Sequence, residues 1–192
     1  MKKFILSCLI GVFVMTSTVL SAQEKVPLGA AGNVALKVDY IAFTEDDFED
    51  ADSGLYLGLE GMGEITSNLL LGFEFGYAVN IQGEMEFLDR KRDVDLTYIP
   101  IELNLKYASE VSPLFLMGVG AGISYNYAKI DVEHGGDLDD GLFGGQLFVD
   151  LNYTFDRFFF GVNGKYQITQ EGDDLEVSFD NWRIGGQIGG FF

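Results

Sequence analysis

The single histidine, His134, lies between Glu133 and Gly135 in a polar stretch. A serine hydrolase needs its hydroxyl nucleophile beside a base, and no serine is placed next to His134 on a common strand. A solvated histidine is the reading its neighbours support. One histidine and one cysteine, Cys8, are too few ligands for a structural zinc site. Oxygen ligands for hard cations are plentiful instead. Glu45, Asp46, Asp47, Glu49, Asp50 and Asp52 form one acidic stretch, and Asp131, Glu133, Asp137, Asp139 and Asp140 a second. Glu171, Asp173, Asp174 and Glu176 form a third. Asp137-Leu-Asp139-Asp140-Gly141 has a fragment of calcium-loop spacing without the full pattern. Such runs read as solvated loops that repel one another. No catalytic, cofactor-binding or metal residue is assigned.

Seven other charged residues are of a different kind. Lys37, Glu60, Glu74, Glu102, Asp150, Lys165 and Arg183 interrupt apolar, strand-like runs. Each falls on the parity opposite to its apolar neighbours, so all seven point to one side of a sheet. They also lie at similar distances from the strand ends. Buried charges need partners. The expectation is a network at mid-height, either holding the structure together or gating a narrow pore.

The elements that position these residues begin after a leader. Lys2 and Lys3 precede the apolar run from Phe4 to Val14, and Ser21-Ala22 supplies small residues for cleavage. That is the pattern of a secretory signal peptide over residues 1–22. Cys8 faintly suggests a lipoprotein signal, but too little apolar sequence precedes it. Residues 23–192 would then form one domain without any thiol. The formal charge of −18 becomes −20 when the two lysines leave. So acidic a chain excludes nucleic-acid binding, which needs basic patches. After the leader no apolar run approaches the ~18 residues of a membrane-spanning helix, which leaves β insertion open.

Hydrophobicity alternates with period two almost throughout, which predicts eight strands, over 33–43, 54–65, 69–82, 94–107, 113–130, 142–155, 158–169 and 177–192. Leu69, Leu71, Phe73, Phe75 and Tyr77 oppose Leu70, Gly72, Glu74, Gly76 and Ala78. The fourth strand changes phase: Val94, Leu96 and Tyr98 are even, whereas Ile101, Leu103, Leu105 and Tyr107 are odd. Pro100 at the switch cannot donate to a ladder, so a bulge is expected near Ile99-Pro100. A second is considered around Phe179 to Asn181. Tight turns at Thr66–Asn68, Ala108–Ser112 and Asp156-Arg157 alternate with long polar loops at Thr44–Ser53, Gly83–Asp93, Asp131–Gly141 and Gln170–Glu176.

This predicts an all-β fold: an eight-stranded antiparallel up-and-down transmembrane β-barrel. A soluble lipocalin-like barrel would turn the apolar face inward. Eight strands enclose an interior only just filled by side chains, and the Leu, Ile, Val, Phe and Tyr on every strand are too bulky for it. The glycine-rich face suits a crowded lumen. A closed barrel also pairs every backbone group, as a bilayer requires. Tyr40, Tyr77, Tyr98, Tyr125, Tyr127 and Trp182 lie toward the long loops, and Tyr107, Phe115, Tyr153, Phe155, Phe158 and Phe192 toward the turns. Two aromatic belts are expected at the two interfaces.

Three segments carry a resemblance: 98–107 (YIPIELNLKY), 113–122 (PLFLMGVGAG) and 181–192 (NWRIGGQIGGFF). On these the chain resembles the small outer-membrane β-barrel family, of the OmpA, OmpX and OmpW type. The likeness covers nearly all of residues 23–192. It implies an outer-membrane location with both termini periplasmic, and a C-terminal assembly signal at Trp182, Ile184, Ile188 and Phe192. The implied partners are the barrel assembly machinery, outer-membrane lipid and lipopolysaccharide, whose phosphates Arg90-Lys91-Arg92 could meet. A monomer without cofactor is expected. Enzymes of this type pair a Ser with a His, and their pattern is missing here. The leading functional reading is a non-enzymatic protein supporting envelope integrity or surface interaction. The alternatives are a narrow, porin-like channel for ions or small solutes and, last, a lipid-modifying enzyme.

Overall fold

Alternating side chains on glycine-tolerant strands build a closed antiparallel barrel in which every strand pairs with its sequence neighbours and β1 closes on β8. The computed structural model describes residues 31–44, 53–87, 90–132, 136–172 and 177–192. The strands are β1 (Gly32–Phe43), β2 (Ser53–Thr66), β3 (Leu69–Phe87), β4 (Arg90–Ser112), β5 (Phe115–Val132), β6 (Gly136–Phe155), β7 (Phe158–Thr169) and β8 (Asn181–Phe191). The leader at 1–22, the acidic residues 45–52, His134 and residues 173–176 lie outside the described residues.

One end carries the short turns, here called the turn end; the other is the loop end. Asn68 and Asp156 take positive φ, 71° and 52°, in two of the turns. Short polar side chains tolerate that left-handed conformation better than most. The turn after β4 is Pro113-Leu114, because β4 runs on to Ser112 and does not stop at Tyr107. The loops expected at Gly83–Asp93 and Asp131–Gly141 are largely strand: β3 and β4 continue as a hairpin to Phe87 and Arg90, and β6 starts at Gly136. The calcium-like run 137–141 is therefore extended backbone, paired with 127–131 of β5. The four strands β3 to β6 have 19, 23, 18 and 20 residues, against 12, 11, 12 and 14 for β7, β8, β1 and β2. One side of the barrel thus rises higher at the loop end.

The apolar face points outward. Phe73, Ile123 and Phe155 are 64, 65 and 68 % exposed, while Glu74 and Glu102 are fully buried inside. Tyr40 packs on Trp182 and Tyr125 on Phe143 toward the loop end, and Phe115 and Phe160 pack on Tyr153 toward the turn end. Inward glycines make room for large neighbours across the sheet. A Cβ on Gly76 would overlap the Tyr56 ring, and one on Gly120 the Phe148 ring.

The bulge expected at Ile99-Pro100 is absent. β4 pairs with β5 without interruption from Val94↔Val132 to Glu110↔Leu116. The extra residue lies on β3, between Ala78 and Ile81. The phase of β4 never changes: Leu96, Tyr98, Pro100, Glu102 and Asn104 are all buried inside. What changes is the lumen, which turns apolar toward the loop end. Tyr98 accordingly belongs to the interior and not to the aromatic belt. No bulge occurs around Phe179 to Asn181 either; β8 begins at Asn181, and 177–180 leave the sheet.

Candidate functional site: the layered lumen

The interior is stacked in layers. At mid-height, side chains from seven strands alternate in sign. The Lys37 Nζ donates to Glu60 Oε2 and Glu74 Oε2, both at 2.7 Å. Lys165 donates to Glu74 Oε2 at 2.8 Å and to Glu102. Arg183 Nη2 donates to Glu102 Oε1 at 2.6 Å, and Nη1 lies 3.9 Å from Glu74 Oε1. Asp150 is reached through Lys106, whose Nζ bonds Glu60 Oε1 at 2.8 Å and Asp150 Oδ2 at 3.2 Å. The chain of contacts runs Asp150, Lys106, Glu60, Lys37, Glu74, Lys165, Glu102, Arg183. It holds four cations and four carboxylates, each at most 6 % exposed at the side chain.

The seven residues singled out in the sequence all reach this network. Lys106 was missed because β4 was expected to end at Tyr107, which put the lysine at a rim. The signal was present: Lys106 shares even parity with Glu102 and Asn104. The strand's continuation to Ser112 places it well inside. Tyr56 was missed although it shares even parity with Glu60 on β2. Its hydroxyl donates to Glu74 Oε1 at 2.7 Å, and the Arg183 guanidinium carbon sits 4.4 Å from its ring centroid. A fifth buried carboxylate, Asp39, accepts from Asn163 Nδ2 at 2.9 Å, across the bare backbone of Gly185.

Above the charges lies an uncharged polar tier. Gln167 Nε2 donates to Ser124 Oγ at 2.6 Å and to Asn126 Oδ1 at 3.0 Å. The Tyr98 hydroxyl is 2.9 Å from Asn126 Oδ1 and from Gln167 Oε1. Asn181 Nδ2 donates to Gln167 Oε1 at 3.1 Å. Over this tier an apolar cap closes the loop end, built from Ile41, Phe43, Tyr56, Ala78, Leu96, Tyr98, Ala128, Ile130, Leu142 and Phe179. A second apolar layer, the base, closes the turn end with Ala35, Met62, Leu70, Ala108, Leu116, Phe148, Phe159 and Phe191. The Lys165 Nζ stands 5.5 Å from the Phe148 ring centroid, which joins base to waist. A cavity of about 20 Å³ between Asn33, Lys106, Asp150 and Phe159 has room for one water.

The charges of the waist are matched, and every carboxylate in it is engaged by a cation. No three His, Cys, Asp or Glu side chains gather among the described residues to hold a metal ion. Trp182, Ile184, Ile188 and Phe192, expected as an assembly signal, line up on the outward face of β8 and its end, 39 to 67 % exposed. Arg90, Lys91 and Arg92 pair in register with Phe87, Glu86 and Met85 on the β3–β4 hairpin.

A family model described as outer membrane protein beta-barrel domain matches residues 4–187. No curated protein matches the chain. Among solved structures, the chain is similar to Neisserial surface protein A, with a TM-score of 0.65 at 12 % identity over 85 % of this chain and 98 % of that one. It is similar to the N-terminal β-barrel domain of Pseudomonas aeruginosa OprF, with a TM-score of 0.57 at 13 % identity over 85 % and 99 %. It is also similar to the outer membrane protein OprG from Pseudomonas aeruginosa, with a TM-score of 0.54 at 19 % identity over 85 % and 97 %. These likenesses are likenesses of fold.

Proposed function

The chain belongs to the outer membrane protein β-barrel domain family, and from that premise we propose that it is a non-enzymatic, non-conducting barrel that supports the envelope and presents its loop end for surface interaction. Its place is the outer membrane. The observation that carries the closed reading is the unbroken salt-bridge chain from Asp150 to Arg183, which spans the lumen between two apolar layers. An ion would have to cross four layers in series. Two are apolar, the polar tier is hydrogen-bonded within itself, and the waist already has its charges matched. Planar-bilayer recording tests this. The unmodified protein should give no discrete conductance steps, and stable steps from it would overturn the reading.

In this reading residues 1–22 are a leader removed on export, and both termini face the periplasm. Trp182, Ile184, Ile188 and Phe192 are read by the barrel assembly machinery. Outer-membrane lipid and lipopolysaccharide surround a monomer. Deleting Phe192 should lower the amount of folded barrel in the outer membrane; normal levels of the deletion variant would remove the assembly role.

A further inference from the structure

We propose that the cavity between waist and base binds one ordered water, held by Lys106, Asp150 and Asn33, and that this water wets the waist on its turn-end side. An ammonium group carries three N–H donors. The Lys106 Nζ uses two of them, on Glu60 Oε1 at 2.8 Å and on Asp150 Oδ2 at 3.2 Å. The contact with Asp150 is the longest hydrogen bond of the waist chain, and both its partners line the cavity. Asn33, near the start of β1, lines the same cavity. It is more than nine-tenths buried, and its Oδ1 accepts from no group of the protein. Leaving a buried amide oxygen without a donor is costly. An unused donor and an unused acceptor thus border one cavity of about 20 Å³.

The wall sets the class of the ligand. A cation would face the Lys106 ammonium, and an anion the Asp150 carboxylate. An apolar molecule would leave Lys106 and Asn33 unsatisfied. The occupant is therefore neutral, accepts from Lys106 Nζ and donates to Asn33 Oδ1, with a second hydrogen for the Asp150 carboxylate. Water makes all of these bonds, about three being usual for a buried one, and the volume admits a single molecule. The bridge ties β1 to β4 and β6 at the point where Asp150 ends the salt-bridge chain. Apolar groups such as Leu70, Leu116 and Phe159 form the rest of the wall, and the matched charges lie above it. The site therefore hydrates the waist and does not open the lumen, which takes it beyond the non-conducting reading without disturbing it.

Water-to-methyl cross-relaxation measured by NMR tests this, in the full protein in detergent micelles, deuterated except at its alanine and leucine methyls. The Ala108 and Leu116 methyls line the cavity and should show cross-peaks at the water frequency. The Ala128 methyl, buried in the apolar cap, should not. Asn33→Leu removes the acceptor and fills the space, so both cross-peaks should vanish. Ala108→Val fills the space from β4 and should abolish the cross-peak at Leu116; it decides the matter if Asn33→Leu does not fold, as scored by heat-modifiable gel migration. No cross-peak at Ala108 and Leu116 in the unmodified protein would overturn the water. Persistence in a folded variant would trace the signal to exchanging Lys106 protons and overturn it equally. A cross-peak of the same strength at Ala128 would mean general solvation of the lumen and overturn the turn-end site.

Discussion

The charged waist and the apolar cap occupy the same strands, a few residues apart, yet they are held together differently. All eight waist residues stand on strands, and each touches partners on other strands. The cap is completed by a residue from outside the sheet, Phe179. The waist is therefore stabilised by mutual neutralisation inside a rigid wall, and it fails when a partner is removed. The cap is held by apolar packing, with Phe179 also tied to Thr169 and Asn181 by hydrogen bonds.

The largest effect should come from the waist. Glu74 receives hydrogen bonds from Lys37, Lys165 and Tyr56. Glu74→Ala leaves two lysines short of a carboxylate, and a broken buried pair costs about 3–5 kcal/mol. Urea unfolding in detergent micelles should show that loss, and conductance should rise if the network is also the barrier. A cost below about 1 kcal/mol would mean that water already screens the waist. On the outer face, Leu71→Arg should cost about 2–4 kcal/mol if Leu71 sits near the bilayer midplane. The same titration in lipid vesicles measures it, and a neutral result would place Leu71 at an interface.

The glycines sharpen the contrast between faces. Gly76 faces inward against the Tyr56 ring, so Gly76→Ala must displace a tyrosine that Glu74 and Arg183 hold. Overpacking of that kind costs about 1–3 kcal/mol. Gly61 faces outward, and a methyl added there would meet nothing within 4 Å, so Gly61→Ala should be neutral or stabilise slightly. Equal unfolding midpoints for the two variants would undo the assignment of faces. Gly120 is crowded in the same way, since a Cβ there would overlap the Phe148 ring, so Gly120→Ser should also destabilise.

Most of the barrel was legible because a bilayer imposes the strictest rule on the outer face. Every outward position must be apolar, and period two then reveals the strands. The inward face obeys a looser rule. It must fill volume and satisfy polar groups, and either an Ile41 or a Lys37 can do that. So Leu96 and Tyr98 looked like outward residues with a bulge to explain them, although they are lumenal residues of the cap. Boundaries failed for a related reason. Beyond the bilayer, strands no longer alternate apolar with polar, and the hairpin through Phe87 and Arg90 reads as loop. Lys106 was lost at the other end of β4, where the strand runs five residues past Tyr107 to Ser112. The pairing of the waist needed spatial order around the barrel, which parity and height indicate but do not specify: Asp150 meets Lys106, a cation the sequence reading left out.

The finest distinction sets the cap against the base. Phe159 and Phe179 are both buried phenylalanines in apolar layers, 3 % and 0 % exposed. By burial alone Phe179→Ala should cost the more. Phe159 stands on β7 and packs on Phe191 of β8 at 5.0 Å between centroids. Truncating it leaves a hole that strand ladders keep from collapsing, which costs about 3–5 kcal/mol. Phe179 hangs from the rim. Its loss lets the loop settle or water enter, and the cost should fall within the ordinary range of about 0.5–3 kcal/mol. The order of the two unfolding midpoints in one detergent is the measurement. Phe159→Ala should lie lower. The reverse order would mean that the cap is as firmly built as the base.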